Sequence, residues 1–114
     1  MTNFKKGALF LVDFDPSIGH EYKKIRPAII IQSDKTIKKT ALVTVMPVTS
    51  QLSNCQEDDV QVKKSSKNGL YSDSLVKAGC IHSFDRKRFL KKIGEASEGL
   101  MGKITKYLHM HFDV

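Results

Sequence analysis

At 114 residues, 40% of them hydrophobic, the chain suits one domain, residues 1–114, with a modest core. Its formal charge of +7 favours an anionic partner such as nucleic acid, an acidic protein or a lipid surface. No apolar run approaches the roughly 18 residues of a membrane span and no N-terminal stretch has the layout of a signal peptide, so the expectation is a cytoplasmic protein with Cys55 and Cys80 reduced.

The stretch "GALFLVDFD" at 7–15 is apolar and rich in strand formers, and it stops at Asp15-Pro16. Pro16 and Gly19 open a loop of about ten residues, longer than most strand connections, and loops of that length often bind. "RPAIIIQ" at 26–32 predicts a second strand, and "SDKTIKKT" at 33–40 one helical turn capped by Ser33 or Asp34. "ALVTVMPVTS" at 41–50 predicts a third strand, broken by Pro47, which has no N–H to give to a ladder. A polar loop follows at 51–58, then a half-exposed strand at 59–65. Asn68-Gly69 signals a tight turn. "DSLVKAGCIHSF" at 73–84 holds a further strand or strand pair. From Ser97 onward, Leu100, Ile104, Leu108 and His111 share one face of a helix, with Ser97 as cap and Glu98 suited to its N-terminal dipole. Several short strands followed by one helix predict a mainly β (α+β) protein: a small, strongly bent barrel with a C-terminal α-helix.

Basic clusters sit at Lys23–Lys24–Arg26, Lys35–Lys38–Lys39, Lys63–Lys64–Lys67 and in "DRKRFLKK" at 85–92. Arg26 precedes Pro27, which forces it into an extended conformation where loop becomes strand. Its guanidinium offers a fork that matches a phosphate. Thr49 and Ser50 lie at a strand end, where hydroxyls can donate to a phosphoryl oxygen. His20 and Glu21, in the long loop, can move protons. Taken singly, each has an ordinary structural use as well: a surface arginine, a capped turn, a solvated histidine. His109 and His111 are two apart on a helix and point to opposite sides, which argues against a shared metal ion.

In combination these residues resemble the MazF/PemK (Kid) family of toxin endoribonucleases. The opening runs Gly7, an apolar strand, Asp13, Pro16, Gly19, Glu21 and then Arg26-Pro27. "VMPVTS" is similar to the family's Pro-x-Thr-Ser segment, and "DSLVK" with "FDRKRFLKKIG" to its later stretches. The likeness runs in order over about 5–110. It implies an SH3-like barrel working as a homodimer, metal-independent cleavage of single-stranded RNA at short sequences, no cofactor, and neutralisation by a cognate antitoxin. It assigns the core catalytic roles to Arg26 and Thr49, and in some members a role to the histidine that is His20 here; the mechanism expected on that basis takes His20 or Glu21 as base, with Lys77 assisting the phosphate or the leaving group. Lys23, Lys24, Ser50, His82 and Arg86 complete the expected RNA contacts, and Tyr22, Tyr71 and Phe84 are candidates for base stacking. Gly79 and Cys80 stand where relatives commonly carry an acid and a glutamine. That departure keeps open an inactive member that binds only RNA or antitoxin. A gyrase-poisoning toxin of the CcdB kind is the alternative outside nuclease chemistry.

Overall fold

The computed structural model describes residues 4–14 and 25–114. The long loop, with His20, Glu21, Tyr22, Lys23 and Lys24, lies outside the described residues.

Strands β1 (Ala8–Asp13), β2 (Ile25–Ile30) and β3 (Leu42–Thr49) form an antiparallel meander. A short helix α1 (Asp34–Ile37) sits between β2 and β3, with the Ser33 hydroxyl accepting from Thr36 N–H at 3.3 Å. A hairpin of β4 (Val60–Val62) and β5 (Ser74–Val76) adds to the end of β3 that carries Thr49. β6 (His82–Asp85) pairs with the beginning of β3, so the region 73–84 holds two strands, each paired with β3 and not with the other. β7 (Phe89–Glu95) pairs with β1, with two register shifts that bend the sheet. The strand order is β4-β5-β3-β2-β1-β7, with β6 beside β3.

Pro47 does not break β3. Its carbonyl accepts from Lys77 N–H at 2.9 Å, so its ring nitrogen faces the same flank. There the chain loops out between β5 and β6, over Ala78–Ile81, and no ladder bond is lost. The strand β7 is not legible in the sequence, because lysines at 91 and 92 hide its alternation behind a charge run.

Alternation divides the buried residues between two faces. One face carries Leu9, Ile29, Met46, Val48 and Val76, and packs against α2 (Glu98–Phe112) through Leu100, Ile104 and Tyr107. The other carries Phe10, Val12, Ala28, Ile30, Val43 and Val45. His111, expected on the packed stripe of the helix, is exposed, and Tyr107 takes the buried position. The Ser97 hydroxyl caps α2 by accepting from Leu100 N–H at 3.1 Å. Ser97→Ala is expected to cost about 1 kcal/mol of stability, read as a lower denaturant midpoint with unchanged slope.

Candidate active site

The site is built by strand register. β2 and β3 pair as Ala28↔Pro47, Ile29↔Met46 and Ile30↔Val45. Continued by two residues, that register sets Arg26 opposite Thr49. On the far side of β3, Thr49 pairs with Leu75, and Leu75 pairs with Gln61. Arg26, Thr49, Leu75 and Gln61 therefore form one cross-strand row. Continued one residue beyond β5 and β4, the same registers set the next row on this face as Ala28, Pro47, Lys77 and Asp59, about 7 Å along the strands.

Within this frame Arg26 is half-buried and Thr49 is buried, 7% exposed. Thr49 Oγ1 accepts from Gln51 N–H at 3.2 Å, which orients the hydroxyl and leaves its own hydrogen to donate. Directly opposite residues in a sheet keep their Cβ atoms about 5 Å apart. A fork-shaped cation and a fixed hydroxyl at that spacing can share one tetrahedral anion.

Lys77 is also on this face, but it is not a solvated cation. Its Nζ lies 2.5 Å from Asp59 Oδ2, and the two side chains are 11% and 3% exposed. Asp59 Oδ2 also accepts from Gln56 N–H at 2.8 Å. Asp59 is a functional candidate that sequence reasoning misses; its only signal is its place at the start of an alternating strand, opposite Lys77 in register.

The remaining expected residues scatter. Ser50 follows Thr49 in the strand direction and is exposed on the other side. His82 pairs with Val45, about 13 Å from Thr49 along β3, and packs against the touching rings of Phe84 and Phe14. Phe84 itself is stacked on His82 and meets Phe14 edge-on, so it packs internally, whereas Tyr71 is 97% exposed. Arg86 is not brought to the site. It follows Asp85, whose partner is Leu42, at the opposite end of β3 from Thr49. Its guanidinium donates to the carbonyls of Ile37 and Thr40 and sits over the Phe4 ring, which ties α1 to the sheet.

Gly79 lies under Tyr107: a Cβ there would meet Tyr107 Oη at 3.7 Å, an ordinary contact, so sterics do not demand glycine. Burial pushes the Tyr107 phenol above its ordinary pKa, with Asp58 and Cys80 adding to the shift. His109 Nδ1 meets the Val114 carbonyl and His111 Nδ1 the Tyr107 hydroxyl, so the two imidazoles are occupied separately. Among the described residues no three His, Cys, Asp or Glu side chains gather as a metal-binding group, and no helix is long and apolar enough to cross a membrane. A cavity of about 940 Å³ opens between β4 and the first turn of α2. Lys63, Lys64, Lys67 and Lys103 line it, and Gln61 joins it to the Arg26–Thr49 row.

A small bent barrel with one packed helix, carrying an arginine and a threonine across adjacent strands, is the class of protein defined here. Residues 5–112 match the PemK-like, MazF-like toxins of type II toxin-antitoxin systems, and the chain belongs to that family. Endoribonuclease MazF9 of Mycobacterium tuberculosis (strain ATCC 25618 / H37Rv) is 29% identical over 115 residues, covering 96% of this chain and 97% of that protein. Endoribonuclease EndoA of Bacillus subtilis (strain 168) is 24% identical over 106 residues, covering 93% and 91%. Among solved structures, MazF (Form-I) from Deinococcus radiodurans superposes with a TM-score of 0.80 at 23% identity, covering 96% of each chain. A mycobacterial endoribonuclease solved in complex with its cognate antitoxin superposes with a TM-score of 0.77 at 18% identity, covering 100% of this chain and 97% of that one.

Proposed function

We propose that this chain is an endoribonuclease toxin that cuts single-stranded RNA at short sequences without a metal ion, works as a homodimer, and is silenced by a cognate antitoxin. The observation that carries the reading is the cross-strand placement of Arg26 and Thr49 on one face. The endoribonuclease relatives named above support the activity, and the mycobacterial complex supports the antitoxin. Exposed Ile25, Leu52, Leu90 and Phe112 on so small a barrel support self-association.

RNA carries its own nucleophile. The 2′-oxygen attacks the adjacent phosphorus while its proton passes to a base; His20 and Glu21 are the candidates. The bond from phosphorus to the 5′-oxygen then breaks, and that oxygen takes up one proton. Protons balance, and the products are a 2′,3′-cyclic phosphate and a 5′-hydroxyl. Arg26 clamps the non-bridging oxygens as charge builds on them, and the Thr49 hydroxyl donates to one of them. Lys77 meets the charge that develops at the phosphate or on the leaving oxygen.

Thr49→Val keeps the β-branched shape and removes the donor. The cleavage rate is expected to fall about 10²–10³-fold, the usual cost of one donor to an oxyanion. Thr49→Ser should restore most of it, and a single-turnover rate for each variant checks both. The lysine-lined cavity supports a path for the strand beyond the cut. Lys63→Gln with Lys64→Gln should weaken binding to RNAs of unrelated sequence alike, lowering the salt slope by about 0.7 for each phosphate that is no longer neutralised. Binding measured across a salt series reads this out.

A further inference from the structure

The buried ion pair one row along from Thr49 is more than stability requires. For stability alone, a well-packed apolar pair of similar volume serves as well as or better than a buried lysine and carboxylate. Here the pair closes a row, Ala28–Pro47–Lys77–Asp59, on the face that holds Arg26 and Thr49. Lysine has a flexible four-carbon stem, and left alone its ammonium swings out to water. Asp59 prevents this. Its carboxylate is held by the Gln56 N–H at 2.8 Å and grips Lys77 Nζ at 2.5 Å, with only 3% of the aspartate side chain exposed.

The rest of the chain supplies a reason for such a device. Position 79, between Lys77 and β6, carries no side chain, and the Gly79 backbone would accept one without a clash. The turn after β5 therefore contributes a cation but no carboxylate of its own. Asp59, just ahead of β4, brings a carboxylate to the same cation from a different part of the chain.

We propose that Asp59 is a positioning residue for RNA cleavage: it fixes the Lys77 ammonium on the Arg26–Thr49 face so that Lys77 meets the scissile phosphate. The inference rests on the nuclease reading above and adds to it the residue that leads into β4.

The test compares Asp59→Asn, Lys77→Met, the two together, and the apolar pair Asp59→Leu/Lys77→Met. Three quantities are measured for each: the single-turnover cleavage rate on a short RNA, the affinity for the same RNA with a deoxyribose at the scissile position, and the thermal midpoint. Asp59→Asn is expected to slow cleavage about 10²-fold, the scale of loss when a reacting group is misplaced, with undiminished affinity. Asp59→Asn/Lys77→Met should be no slower than Lys77→Met alone, because Asp59 acts through Lys77. The apolar pair should be folded and slow. A wild-type rate in Asp59→Asn, multiplying losses in the double variant, or a folded apolar pair with wild-type rate would each overturn the inference while leaving the nuclease reading intact. No cleavage by the wild-type protein would remove both.

Discussion

Arg26→Ala is expected to abolish RNA cleavage, by about 10³-fold or more, while the barrel stays folded. The magnitude follows from what a guanidinium does in a phosphoryl-transfer site, where a single well-placed arginine supplies about 10³–10⁵ in rate. The negative charge on the non-bridging oxygens rises only as the 2′-oxygen attacks, so the clamp lowers the barrier more than it tightens binding. The rate should therefore fall far more than the affinity for a substrate with a deoxyribose at the cut. Arg26→Lys keeps the charge but loses the two-pronged fork, and should recover only a fraction of the rate. The fold should survive because Arg26 is half-buried at the start of β2, whereas the sheet core lies further along the strand at Ala28, Ile29 and Ile30. Circular dichroism and a melting curve for the purified variant check this half of the expectation. Full activity in Arg26→Ala would rule out the clamp.

The largest effect on stability is expected at Gly69 and Gly94. These two glycines mark where the loop after β4 lies against the end of β7. A Cβ on Gly69 would lie 2.1 Å from the Ile93 carbonyl oxygen, and one on Gly94 would lie 2.3 Å from the Lys67 carbonyl oxygen. Both obstacles are backbone, so neither can swing aside. The approach is needed because Glu95 N–H donates to Lys67 O at 2.8 Å across the same gap. Gly69 also has φ +72°, which penalises any side chain. Adding the left-handed strain to the overpacking gives about 3–5 kcal/mol for Gly69→Ala, a large share of the stability of a domain this size. Gly102 is the control: it lies within α2 with nothing within 4 Å of an added Cβ. Gly102→Ala should stabilise by up to about 1 kcal/mol. Urea midpoints for the three variants decide the matter; equal midpoints would contradict the closeness of the loop to β7.

Much of the barrel is legible in the chain because local rules and tertiary structure agree. The β-branched runs at 26–32 and 41–50 are central strands, and Ser97 marks the start of the helix. Asn68 turns the chain as expected, but in a wide connection, not a two-residue hairpin. Its Oδ1 accepts from Ser65 N–H and Leu70 N–H, each at 3.0 Å, and its Nδ2 donates to Lys63 O at 2.9 Å. Strand β7 stays hidden because lysine stems can lie along an exposed edge without showing apolar alternation.

The site divides in the same way. Arg26 and Thr49 stand out by their neighbours Pro27 and Ser50, and strand register sets them on one face. Asp59 and Lys77 are 18 residues apart, and only the β4–β5 pairing brings them together. Arg86 shows the opposite error. Arginines in a basic run look alike in sequence, yet this one is engaged with the Ile37 and Thr40 carbonyls at the far end of β3. Charge runs point to a basic surface, and only the sheet tells which cation faces the site.

The most direct trial of the central idea is to incubate the purified protein with a long mixed-sequence RNA in chelator and determine the chemistry of the new ends. Discrete cuts leaving 2′,3′-cyclic phosphates and 5′-hydroxyls, and none where the ribose before the cut lacks its 2′-hydroxyl, are the predicted result. Intact RNA alongside inhibited gyrase supercoiling, or equal cutting of DNA, would contradict it.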